Sequence, residues 1–202
     1  MYYISIKGGE NITMKYNDEY VYELILDNTK RLLNERGVKG WSMDELAKNS
    51  SVAKNTLYKI VGSKREAVSA VVFRDIEKVR LKLEYLMAKK AGTITLDDFI
   101  EGFLMTFSHL HIHYLTDVTL EFPASGLKIE KAVEEIRKLL IQLFETIKTE
   151  RKLREDLDIN LLFDCIRGIS TEFIRLGYTD DIFVQKSRII YEYLLHGILC
   201  KP

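Results

Sequence analysis

The 202 residues, 47% hydrophobic and 30% charged, suffice for one helical domain with a core or for a small domain joined to a larger one, and the composition excludes disorder. Thirty basic residues balance thirty acidic ones, so no global field draws the chain to nucleic acid or to an anionic membrane, and any such partner must be met locally. The two cysteines, Cys165 and Cys200, have neither metal-type spacing nor the density of a disulfide scaffold, and charges or histidines interrupt every apolar run; a cytoplasmic protein with no membrane association is expected.

Two prolines in the whole chain and apolar residues recurring at three- and four-residue spacing predict an all-α fold. Residues 1–16, MYYISIKGGENITMKY, lack this periodicity and are expected to be an N-terminal arm or to precede the true start, with Met14 the alternative initiator. A helix is predicted from Asn17 or Asp18 to Arg36, with Ile25, Leu26, Leu32 and Leu33 on its inner side and Gly37 as the left-handed stop. SMDE at 42–45 has the form of a capping box opening a short helix at Ser42. Another short helix is predicted from about Ala53, and SKRE at 63–66 is a second capping box opening a long helix towards Lys90.

The two short helices satisfy the requirements of a helix-turn-helix. Ala47 is the small residue at their crossing and Leu46, Val52, Leu57 and Ile60 are the apolar clamp, which leaves Lys54, Asn55, Tyr58 and Lys59 facing outward. Amide and hydroxyl groups can read base edges in a major groove while lysines and tyrosine reach phosphates. Between Lys30 and Arg65 nine basic residues face three acidic ones, a local excess of +6 that leaves −6 on the remainder. The charge is segregated as a nucleic-acid-binding module requires.

The stretch ILDNTKRLLNERGVKGWSMDELAKNSSVAKNTLYKIVGSKREAVSAVV, residues 25–72, resembles the DNA-binding domain of the tetracycline-repressor (TetR) family of transcriptional regulators, through SMDELA, TLY and SKREAV at this spacing. The resemblance implies an N-terminal three-helix DNA-binding domain, residues 17–62, followed by a larger helical ligand-binding and dimerisation domain, residues 63–202. It implies a homodimer on a double-stranded operator, a repressor released by an unknown small-molecule effector, and no enzymatic activity. The alternative is an interaction protein of the same fold that acts through a protein partner. Carried over by position, Ser42 would touch phosphate, Lys54, Asn55, Thr56, Tyr58 and Lys59 would form the groove-facing surface, and Tyr58 and Lys64 would clamp the backbone, Lys64 at the positive end of the fourth helix. Three positions depart from the family pattern. Ser51 stands where the turn usually has Gly, at a cost of about 1 kcal/mol if the position needs a positive φ. Asn55 replaces a frequent Gly, and KIV at 59–61 replaces an aromatic run.

Beyond residue 73 only the pattern speaks. Helices are predicted at 96–115, 127–154, 158–177 and 181–199, with Thr95 an N-cap, Gly177 a stop and the clearest break at EFPASG, 121–126. Leu162, Ile166, Ile169, Phe173, Ile189, Ile190, Tyr193 and Leu194 exceed what one small domain needs and suit a four-helix dimer bundle of the kind the resemblance implies, with Gly168 permitting close approach; the alternative is monomer core. SHLHIHYL at 108–115 places His109 and His113 on one helical face, near Asp117 and Glu121, but without further His or Cys neither a metal nor a cofactor is expected. Phe103, Phe107 and Tyr114 either fill the core or, with His111, line the apolar ligand pocket that the resemblance places between the middle helices. No phosphate loop, nucleophile elbow or isolated carboxylate pair points to catalysis.

Overall fold

The computed structural model describes residues 16–89, 93, 95, 97–98, 100–102, 104, 112–151, 158–178 and 180–198. Among them run the helices α1 Tyr16–Arg36, α2 Met43–Asn49, α3 Lys54–Val61, α4 Lys64–Met87, α5 Ile112–Glu121, α6 Pro123–Arg151, α7 Ile159–Arg175 and α8 Asp180–Ile198, and residues 97–98, 100–102 and 104 between α4 and α5 are helical too. Among the described residues no strand interrupts this all-α architecture.

Local chemistry sets most of the boundaries. Gly37 ends α1 at φ +64°, a conformation that costs a side-chain-bearing residue but not glycine, and its N–H bonds the carbonyl of Leu33. Ser63 and Glu66 form the full capping box of α4, each satisfying the other's backbone N–H. Thr95 and Asp98 make the same reciprocal pair, Asp98 N–H to Thr95 Oγ1 at 3.1 Å and Thr95 N–H to Asp98 Oδ2 at 2.9 Å. At α2 only half of the expected box forms. Ser42 Oγ accepts from the Glu45 N–H, but the Glu45 carboxylate turns to Arg36 Nη1 at 2.6 Å, because the guanidinium at the end of α1 offers a charge where the Ser42 N–H offers only a dipole.

The second half of the chain departs more from expectation. The break at 121–126 shrinks to Phe122, since Pro123 takes the first position of α6, where its missing N–H and fixed φ are no handicap. Within the helix expected over 96–115, residues 97–98, 100–102 and 104 are helical, and residues 112–115 belong to α5, which continues to Glu121.

One core runs from the α1–α2–α3 cluster through α4 to α6, with Leu32, Leu46, Leu57, Val71, Leu83, Leu143 and Phe144 all buried. Helix α4 serves both regions, packing against α1 and α3 and against α6. Ion pairs fasten α4 to α1: Lys30 Nζ lies 2.9 Å from the buried Asp75 carboxylate, and Arg74 spans Glu23 and Asp27 at 2.8 Å each. The buried hydroxyls of Ser170 and Tyr191, 2.8 Å apart, tie α7 to α8. Leu162 and Ile166, expected to offer surface to a second subunit, are 6% and 2% exposed: they point from α7 into the chain's own core.

Ser51 holds φ +55° in the α2–α3 turn, the one non-glycine left-handed residue among those described, as its place in the sequence anticipates. Its N–H is anchored to Lys48 O and the next N–H, of Val52, to Ala47 O, so the turn cannot relax without losing both bonds. Ser51→Gly should therefore raise the free energy of unfolding by about 1 kcal/mol in a denaturant titration, while Ser51→Ala, which keeps the Cβ, should not.

Candidate nucleic-acid interface

The polar surface of α3 follows from what its other side buries. Leu57 is fully buried and Val61 nearly so, against Leu46 and Ala47 of α2, with Val52 and Ile60 partly covered beside them. A helix pinned on that side must present Lys54, Asn55, Thr56, Tyr58 and Lys59 to solvent, and all five are exposed. The helix carries no acidic residue in its first turn and no side-chain cap at Ala53, so its leading N–H groups and their partial positive charge stay open to an anion. Ser42 lies exposed at the start of α2, its hydroxyl already accepting from the Glu45 N–H.

The structure brings these side chains to one side but does not leave their charges free. Lys54 Nζ sits 2.6 Å from Asp44 Oδ1 of α2, and the carboxylate holds the ammonium above its ordinary range. Lys39 is bound to Glu121 of α5 at 2.9 Å and shifted upward for the same reason. Lys30 and Arg36 are likewise paired with carboxylates, Asp75 and Glu45. Among the described residues Lys48 and Lys59 make no ion pair, and Lys59 is the unpaired cation on α3 itself. The local excess of +6 is thus partly met by carboxylates from α4 and α5 that a count along the chain assigns elsewhere.

Lys64 sits differently from the phosphate clamp that the resemblance implies. Its ammonium donates to the Trp41 carbonyl oxygen at 2.5 Å and lies 4.2 Å from the centre of the indole ring. Partial burial pushes its pKa down, while Glu121 opposes that shift. Lys64 therefore fastens the start of α4 to the α1–α2 connection, and α5 abuts the same spot: a Cβ on Gly37 would lie 3.4 Å from Asp117 Oδ2. Trp41, Asp44 and Glu121 are the residues of this surface that sequence reasoning did not single out as its partners. Asp44 was visible within SMDE, but its role as a counter-ion depends on the angle between two helices.

Phe103, Phe107 and His111 lie outside the described residues, as do His109 and the side chains of His113 and Tyr114. Among the described residues no cluster of three or more metal-ligating side chains occurs, and no helix is long and apolar enough to cross a membrane.

A short helix clamped across another, with an acid-free polar face and an open N-terminus, has the geometry of a DNA-binding helix-turn-helix. Residues 25–71 match the family model of bacterial regulatory proteins of the tetR family. The chain shares its fold with the ketosteroid transcriptional regulator KstR2 of Mycobacterium tuberculosis (TM-score 0.68, 16% identity, 94% of this chain and 98% of that one). It is similar to a TetR transcription regulator from Haloarcula marismortui (TM-score 0.67, 14% identity, 90% and 100%) and to the fatty acid degradation regulator FadR from Bacillus halodurans (TM-score 0.61, 18% identity, 84% and 93%). No protein of curated function matches the chain by sequence. Residues 25–71 are thus similar to the DNA-binding domain of the tetR family, and the chain has the fold of solved regulators of that kind.

Lys64 supplies a direct check on this geometry, because Trp41 is the single tryptophan of the chain. Lys64→Met, which keeps the aliphatic stem but removes the charge, should change the emission of Trp41 and cost about 1–2 kcal/mol of stability through the lost cation–π contact and the carbonyl left without its donor.

Proposed function

We propose that the protein is a homodimeric repressor that binds a double-stranded operator through α3 and is released from it by a small molecule bound in the helical region after residue 62. The single observation that carries the DNA-binding part is the exposed set Lys54, Asn55, Thr56, Tyr58 and Lys59 on a helix whose opposite side is pinned. In this reading Asn55 and Thr56 contact base edges near the N-terminus of the recognition helix, and Tyr58, Lys59 and Ser42 contact phosphates. Lys64 has a part here only if its ammonium leaves Trp41 for a phosphate. Residues 17–62 are assigned to DNA, residues 63–202 to the effector and the second subunit, and the protein to the cytoplasm.

Dimerisation is supported by an unpartnered apolar surface on the last two helices. Leu161, Cys165, Gly168, Glu172 and Leu176 form one exposed row along α7, and Ile182, Lys186, Ile189 and Tyr193 another along α8. Leu161 is 61% and Tyr193 70% exposed, levels at which large apolar side chains on two packed helices call for a cover. Among the described residues nothing within 4 Å would meet a Cβ on Gly168, which leaves room there for a second helix. An apolar effector is favoured by the names of two fold neighbours, a ketosteroid regulator and a fatty acid degradation regulator, together with Phe103 and Phe107 in the middle of the sequence. It would act by favouring a separation of the two recognition helices that mismatches the half-sites, and only to the extent of its differential affinity for the two states.

Purified protein is expected to bind DNA from immediately upstream of its own gene more tightly than a scrambled duplex, with affinity falling as salt rises. Tyr58→Ala and Lys59→Ala should lose most of that binding and keep the native mass in solution, Lys59→Ala also flattening the salt dependence by about one counter-ion. Equal, weak binding to both duplexes by folded protein would move the assignment to a protein partner. In sedimentation, the double substitution Leu161→Glu with Tyr193→Glu should convert a dimer to the 23.5 kDa single chain.

A further inference from the structure

Asp44 is an unexpected residue for a surface that must approach phosphates. It occupies the first turn of α2, two residues after the exposed N-cap Ser42, and its side chain is 66% exposed. Its carboxylate reaches Lys54, the first residue of α3 and the end of that helix from which base edges are read. Tyr58, one turn further along the same face, is close enough to bear on the Lys54 charge. The other carboxylate in the first turn of α2, Glu45, is turned away to Arg36, so Asp44 alone confronts the recognition helix from α2.

We propose that Asp44 is a specificity-determining residue: it holds Lys54 as an ion pair off DNA, and gives it up only where the operator offers Lys54 a better-placed acceptor. The inference rests on the DNA-binding reading and adds a gate to it. A solvent-exposed pair is weak enough to open yet occupies the cation most of the time. On an arbitrary duplex, phosphates must compete with Asp44 for Lys54 and also suffer its repulsion, which lowers non-specific affinity. On the operator, seating α3 in register puts an acceptor within reach of Lys54, so the opening is compensated. Discrimination thus gains from an unfavourable contact on the wrong sequence as well as from favourable ones on the right sequence.

The test compares wild type, Asp44→Asn, Lys54→Ala and the double variant on the duplex from upstream of the gene and on its scrambled counterpart, across a salt series. Asp44→Asn should tighten binding to scrambled DNA roughly two- to five-fold, tighten the upstream duplex less, and steepen the salt dependence by about one counter-ion. With Lys54 already alanine, Asp44→Asn should have no such effect. The proposal is overturned if Asp44→Asn leaves scrambled binding unchanged or weaker, or if the gain persists without Lys54. A shift in unfolding midpoint with an unaltered salt dependence would mark a merely structural pair and overturn it too. Wild type that binds the two duplexes equally overturns the operator reading, while the response of scrambled binding to Asp44→Asn still decides whether Lys54 is held back; wild type that binds neither overturns both.

Discussion

The burial of Leu57 in the angle between α2 and α3 is the contact on which the rest of the interface depends. With that side chain fully enclosed against Leu46 and Ala47, rotation of α3 about its axis is fixed, and 3.6 residues per turn then dictate which side chains meet solvent. The strained turn at Ser51 belongs to the same constraint: the left-handed residue lets the chain reverse within the few residues that separate the two helices. A loose Leu57 would let the polar face of α3 wander, and a helix that wanders cannot read a base sequence.

Electrostatics is arranged around this frame by spatial neighbours. The basic segment 30–65 meets Asp75 from α4 and Glu121 from α5, both remote in sequence, and meets Asp44 from within. What reaches solvent is a surface of partly committed cations with Lys59 unpaired on α3 among the described residues. Such a surface suits selective binding better than a fully free one, because each committed lysine must find a compensating acceptor. The contacts at Trp41, Gly37 and Glu121 also join the DNA-facing helices to α4 and α5, so that a shift of either would be felt at α2.

Much of this was legible in the chain. SKRE announced the capping box of α4, Thr95 an N-cap, Gly37 and Gly177 the stops, and Ser51 the left-handed turn, because each of these signals is local and its geometry is decided within four residues. The outward set of α3 could be read from the apolar clamp of Leu57 and Ile60 on its other side. What failed were features decided by distant neighbours. Glu45 left its cap for Arg36, and Leu162 and Ile166 were claimed by the chain's own core. Linear spacing assigned the potential partners of these residues but could not rank them, since the ranking depends on distances between helices.

The central claim is that α3 reads a particular DNA sequence as one half of a symmetric dimer. It is tested most directly by selecting ligands for the intact protein from a pool of random duplexes and sequencing what is enriched. A two-fold symmetric site with half-sites spaced by one helical turn, about 34 Å, or a multiple of it is the expected result, with the enrichment lost for Tyr58→Ala. A pool that stays random after repeated rounds with folded wild-type protein would contradict sequence-specific recognition by α3.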